Sequence, residues 1–190
     1  METPKERFIR LLSRTGGSQV EDLIYYLEGT DFFDAPASSR FHGSYRGGLV
    51  DHSLAVYDEL VRIKAAYNDV QSIREISDDA CITVALLHDL CKIGMYHPTI
   101  KKRKNEDGNW EEYEGYDRRE DFKFGGHGSK SVFIASRYIY LSNVEAAAIN
   151  CHMSTWEMGK TQEISEVFND NPLAWLLHVA DESATFILKK

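Results

Sequence analysis

The stretch VALLHDLCKIG, residues 84–94, sets an adjacent His88–Asp89 pair among the apolar residues Val84, Leu86, Leu87, Leu90 and Ile93. Two ionisable side chains in such a run are costly to bury unless hydrogen bonds or a counter-charge stabilise them. The run follows a capping Ser77, and its spacing predicts a helix continuing to about Lys92. Adjacent residues on a helix diverge by about 100°, so His88 and Asp89 can serve different sides of one cluster.

On both sides of this stretch the chain reads as helices. Thr3, Pro4 and Glu6 form an N-cap, a first-turn proline and a capping box, and Ser18 with Glu21 repeats the device. Residues 31–48 read as a flexible loop of small residues closed by Gly47–Gly48. A long helix over about 49–69 follows, with Leu54, Tyr57, Leu60, Val61 and Ala65 at helical spacing. Further helices are expected over 126–140, from Ser142 with Glu145, and from Asn171–Pro172 to the end. In TIKKRKNEDGNWEEYEGYD, residues 99–117, Asp107–Gly108 separates a basic arm from an arm carrying Trp110, Tyr113 and Tyr116, the mark of a β-hairpin. The expected fold class is all-α, a helical bundle with a small β-hairpin insertion near 98–117. One domain over 1–190 is expected, the helices of 3–29 packing on a core of about 40–185.

The 190 residues suit one domain with a sizeable core. No apolar run is long enough for a bilayer, and METPKERFIRLL lacks the apolar stretch of a signal peptide, so a cytoplasmic protein without membrane contact is expected. The net charge of −8 argues against a broad nucleic-acid surface. Cys81 and Cys91, ten residues apart on one helix, would lie roughly 15 Å from each other, too far for a disulfide. With Cys151 they read as reduced, buried thiols.

Four of the seven histidines, His52, His88, His127 and His152, fall in or at the start of expected helices beside apolar residues. A lone histidine on an apolar face is usually a hydrogen-bonded core residue. Four on four helices, with Asp89 beside one and Asp181 on a fifth helix, change that reading. Packed together they repel when charged and lack partners when neutral, unless a cation gathers them. Imidazole plus carboxylate suits zinc, iron, manganese and similar ions, and six ligands exceed one tetrahedral site, which points to two metals.

His52, then His88–Asp89, then Asp181 resemble the H…HD…D signature of the HD-domain metal-dependent phosphohydrolase superfamily. With His127 and His152 the order H…HD…H…H…D is similar to its dinuclear branch, over about residues 40–185. The segment YRGGLVDHSLAV, residues 45–56, further resembles the approach to the first ligand in HD domains found with 3′-to-5′ exoribonucleases. The resemblance implies an HD-domain helical bundle. It implies two divalent transition metals, iron foremost and Mn, Ni, Zn or Co otherwise, held by His52, His88, Asp89, His127, His152 and Asp181 with Asp89 bridging. Lys92 matches the lysine of the HDxxK pattern; one helical turn after His88, it is placed to reach a phosphate oxygen.

The implied function is hydrolysis of a phosphomonoester or phosphodiester of a small, nucleotide-like substrate. A water bridging two divalent cations has its pKa lowered toward neutrality and attacks as hydroxide. The metals and Lys92 offset charge on the phosphoryl oxygens, so Asp89 and Lys92 are the expected catalytic residues. His42 and Arg46, in the loop before His52, and Lys130, on the face of His127, are expected substrate contacts. His178, three residues before Asp181, reads either as orienting a ligand or as a plain core histidine. Trp156 reads as a packing residue. Met153 and the lack of a Gly-Tyr-Pro signature disfavour cyclic dinucleotide hydrolysis. The same ligand order resembles myo-inositol oxygenase and related mixed-valent di-iron oxygenases, and a non-catalytic nucleotide or metal sensor is a third class. The sequence is silent on oligomeric state.

Overall fold

A computed structural model of the chain describes residues 2–119, 122–154 and 161–190. The described residues form a helical bundle with one two-stranded antiparallel sheet. Its helices are α1 (Pro4–Ser13), α2 (Ser18–Glu28), α3 (Gly48–Ala66), the short α4 (Gln71–Arg74), α5 (Asp78–Leu87), α6 (His127–Ser136), α7 (Asn143–Cys151), α8 (Thr161–Asp170) and α9 (Pro172–Glu182). Strands β1 (Tyr96–Lys104) and β2 (Trp110–Arg118) pair from Tyr96 opposite Arg118 to Lys104 opposite Trp110, slightly longer than the hairpin expected near 98–117.

Helix α5 organises the bundle. Every residue from Cys81 to Leu87 is buried, as befits a helix apolar on all sides. Helices α1, α3 and α7 pack against it, and α9 packs on α3 and α7. The hydrophobic core is continuous from Phe8 on α1 to Ala184 beyond α9. Phe8 meets the rings of Phe32 and Phe33 with centroids 5.0 and 5.5 Å apart, which fastens the N-terminal helices to the loop before α3. Cys81, Cys91 and Cys151 are buried free thiols. Among the described residues, no helix is long and apolar enough to cross a membrane.

The capping boxes at Thr3–Glu6 and Ser142–Glu145 are formed, as are the caps at Ser77 and Asn171. The expected repeat at Ser18 is not. Gly16 and Gly17 take the turn with φ of 83° and 91°, so Gly17 is the cap and Ser18 lies inside the helix. Helix α9 stops at Glu182 and passes into a π-helical segment, Ser183–Leu188. Helix α6 ends at Ser136, short of the expected 140.

The loop over 31–48 is held rather than free. The Ala37 amide donates to Gly43 O at 2.9 Å, Ser38 Oγ donates to His42 O at 2.8 Å, and the amides of Gly47 and Leu49 donate to Asp34 O and Ala35 O. Gly48 lets the loop close, since a Cβ there would sit 1.9 Å from Gly43 O.

Candidate metal centre

The helix expected to run through His88 to Lys92 ends before it. Helix α5 stops at Leu87, His88 is its C-cap, and Asp89 adopts φ −110°, ψ 21° before a 3-10 turn, Leu90–Lys92. The His88 imidazole supplies the reason, donating from Nδ1 to Ala85 O at 2.8 Å, the oxygen that the Asp89 amide would bind in a continuous helix. Helix α7 ends in the same way: His152 is its C-cap, and its Nδ1 donates to Ile149 O at 2.7 Å. Two helix C-termini, each with partial negative charge, therefore end at histidines that face one another with ring centroids 5.0 Å apart. The third histidine, His52 on α3, hydrogen-bonds through Nδ1 to the backbone oxygen of Lys190 at 3.0 Å.

A backbone oxygen can only accept, so each of these rings carries its proton on Nδ1 and turns a lone pair on Nε2 inward. His52 Nε2 and His88 Nε2 approach to 3.4 Å. Asp89 Oδ2 lies 3.6 Å from His52 Nε2 and 3.3 Å from His88 Nε2, and Asp181 Oδ1 lies 3.1 Å from His52 Nε2. His152 Nε2, 3.8 Å from Asp89 Oδ1, is buried without a hydrogen-bond partner. All five residues are at most 8% exposed. Two overlapping groups, His52–His88–Asp89 and His88–His152–Asp181, have ligand atoms within 4.8 Å of one another. Five buried acceptor groups converging on one another, one of them orphaned, are the donor set a divalent cation takes.

Lys92 is the buried cation that faces this set, its Nζ 2.6 Å from Asp89 Oδ2. Burial alone would raise the Asp89 pKa, but the charges of Lys92 and His88 hold it well below the usual carboxylate range. Burial likewise pushes Lys92 down, and Asp89 reverses that into a net rise. His88 follows the same pattern: burial lowers its pKa and Asp89 outweighs it. Burial alone would raise the Asp181 carboxyl, but the neighbouring His52 and His88 hold it below the usual carboxylate range. Burial, then the nearby His88, keeps His152 below the ordinary histidine value.

Of the six expected ligands, the fold gathers five, and His127 stands apart from both groups. At the first turn of α6, its Nε2 accepts from Arg118 Nη2 at 3.2 Å. Helix α6 is nevertheless pressed onto the end of α7, because Gly128 leaves no room for a Cβ: one would meet Asn150 O at 2.3 Å. The Cys91 amide donates to the buried Ser131 Oγ at 3.0 Å and ties α6 to the turn of Lys92.

Among the expected substrate contacts, the His42 ring packs tilted against that of His52 with centroids 4.9 Å apart, and its Nδ1 is a buried atom without a hydrogen-bond partner. Burial, then His52 and Lys92, lowers its pKa to about 4. Arg46 instead lies on the surface, its side chain 79% exposed and paired through Nε and Nη2 with Asp34 at 3.1 and 3.2 Å. Lys130 is half-buried on α6, near enough for its charge to act on the Cys91 thiol. His178 donates from Nδ1 to His152 O at 2.8 Å and stacks on Phe168, so it holds the backbone of a candidate ligand rather than the ring. Trp156 lies outside the described residues. Sequence reasoning passed over Arg118 and Tyr96, whose only signal was the hairpin register that pairs them.

The HD domain family matches residues 49–185, nearly three quarters of the chain. The dihydroneopterin 2′,3′-cyclic phosphate phosphodiesterase of Methanocaldococcus jannaschii is 34% identical over 86 residues, which is 45% of this chain and 32% of that protein. The chain thus spans about a third of the length of that relative. No solved structure matches significantly.

Proposed function

The chain belongs to the HD domain family, and from that premise we propose that it is a metal-dependent phosphohydrolase acting on a phosphoester of a small, nucleotide-like molecule. The observation that carries the reading is the convergence of three Nε2 lone pairs and two carboxylates, with an orphaned buried nitrogen, on one pocket. The relative's name adds a cyclic phosphodiester as the first substrate type to try. The continuous core from Phe8 to Ala184 supports treating residues 1–190 as one functional unit.

His52, His88, Asp89, His152 and Asp181 would hold the cation, with His127 joining only if Arg118 yields its Nε2. Bound there, divalent transition metal ions, iron foremost and one or two in number, supply the Lewis acidity that makes water nucleophilic near neutral pH. The protein's own part is preorganisation. Nδ1 donation to backbone oxygens fixes the three rings before any ligand arrives, so little reorganisation is needed at the moment of reaction. Lys92 keeps Asp89 ionised and places an ammonium where a phosphoryl oxygen gains charge. His42, neutral and with a buried nitrogen beside His52, is suited to a hydrogen bond with substrate.

Metal analysis of protein purified aerobically and anaerobically, with a panel of phosphomonoesters, linear phosphodiesters and 2′,3′-cyclic nucleotides, tests the reading. Phosphate release that is lost on chelation and in Asp89→Ala is expected. Two irons with oxygen uptake and no hydrolysis of any panel member would overturn it in favour of an oxygenase.

A further inference from the structure

The three inward-facing histidines obtain their Nδ1 acceptors in two ways. His88 and His152 cap their own helices, and each uses the oxygen three residues back, Ala85 O and Ile149 O. His52 lies within α3, where Leu49 O, three residues back, is already taken by Ser53 Oγ at 3.0 Å. Its acceptor comes from a remote part of the chain, Lys190 O at 3.0 Å. On the other side of the ring, Asp181 places Oδ1 3.1 Å from Nε2. One stretch, residues 181–190, thus holds both nitrogens of the His52 ring.

A continuous α-helix from Asp181 would carry Lys190 roughly 13 Å along the axis of α9. The chain turns back instead. The π-helical Ser183–Leu188 is followed by Lys189 at φ 56°, ψ 37°, and the amides of Lys189 and Lys190 both donate to Ala184 O. Ser183 Oγ donates at 2.9 Å to Oε2 of the buried Glu59, two turns beyond His52 on α3, which fixes the near end of the segment. Side-chain packing adds little, since Phe186 is 60% and Ile187 75% exposed. The reach of Lys190 O therefore depends on the left-handed backbone at Lys189, a conformation that glycine takes freely and a β-branched residue resists. A neutral imidazole has one N–H; Asp89 Oδ2 and Asp181 Oδ1 compete for it at Nε2, and Lys190 O holds it at Nδ1. We propose that Ser183–Lys190 is a positioning strap of the metal centre: the backbone oxygen of Lys190 fixes the plane and tautomer of His52, so that Nε2 is open to a divalent cation. The proposal rests on the metal-dependent reading of the site.

The experiment uses Zn2+ as the probe, with affinity read by calorimetry on the full chain and the His52 ring read by nitrogen NMR of the Zn2+-loaded protein. The parent should show a His52 Nδ1–H protected from exchange with water. Lys189→Ile should weaken Zn2+ about tenfold or more and abolish that protection. Lys189→Gly should match or exceed the parental affinity and retain the protected signal. Lys190→Ala leaves the backbone oxygen in place and should bind Zn2+ as the parent does. Should Lys189→Ile melt well below the parent without metal, Ser183→Ala, which frees the other end of the segment from Glu59, is judged by the same two readouts. Parental affinity with an intact Nδ1–H signal in the variant so judged overturns the proposal alone, as does a loss in Lys190→Ala equal to that in Lys189→Ile. A parent that binds no divalent transition ion overturns the metal-dependent reading and the proposal with it.

Discussion

Gly128→Ala sets two physical effects against each other at the seam between α6 and α7. Helix propensity favours alanine over glycine by up to about 1 kcal/mol. Sterics oppose it: the added Cβ would lie 2.3 Å from Asn150 O and 2.7 Å from Asn150 Cα, and both are backbone atoms. Restoring ordinary contact means moving the first turn of α6 away from the last turn of α7 by about 1 Å. Overpacking of this kind costs typically 1–3 kcal/mol. The 2.8 Å hydrogen bond from Ser129 Oγ to Asn150 Oδ1 spans the same seam, and its loss adds about 1 kcal/mol. Clash and lost bond outweigh propensity, leaving a net destabilisation of about 1–3 kcal/mol. For a chain of this size that is a fall in Tm of roughly 2–12 °C. Because His152 caps α7, a shift of that size also disturbs the approach of its Nε2 to Asp89, so divalent metal affinity should fall at least about tenfold. Calorimetric melting and metal titration of parent and variant read both effects. A variant as stable as the parent or more so, with parental metal affinity, would refute the packing argument. Gly94→Ala is the contrasting case, where the Cβ meets open space and any loss comes from the φ of 66°.

Lys92→Met should cost roughly 3–5 kcal/mol in chelator, because it strands the buried Asp89 carboxylate. Saturating Mn2+ should shrink that loss, since a bound cation takes over the neutralisation, and parallel melts with EDTA and Mn2+ measure the difference. The His42 pKa is depressed from 6.5 to about 4, so between those pH values the unfolded chain takes up a proton that the folded one refuses. Stability in EDTA should therefore fall as pH drops from about 6.5 toward 4, and the slope should flatten in His42→Gln, as urea unfolding across that window would read. Ser142→Ala removes a formed capping box and should cost about 1 kcal/mol in urea unfolding while leaving bound metal unchanged.

Much of the local structure was legible because it is governed by neighbours in the chain. The boxes at Thr3 and Ser142, the caps at Ser77 and Asn171, and the turn at Asp107–Gly108 each depend on residues within a few positions of one another. Ser18 misled because the Gly16–Gly17 pair before it takes up positive φ and becomes the cap. The continuation of α5 through Lys92 misled because periodicity does not register a side chain that takes a backbone acceptor, as His88 does at Ala85.

By itself the sequence determined the helical class, the hairpin and the set of ionisable residues that apolar neighbours would draw inward. Only the tertiary structure decided which of them meet. His52, His88, Asp89, His152 and Asp181 come from four helices and one turn, and their convergence depends on how α3, α7 and α9 lie on α5. The same packing sent Arg46 to Asp34 at the surface and brought Arg118 to His127. Spacing along one helix constrains only the neighbours of a residue on that helix. Contact between helices depends on close approaches, such as Gly128 against Asn150, that have no local period to read.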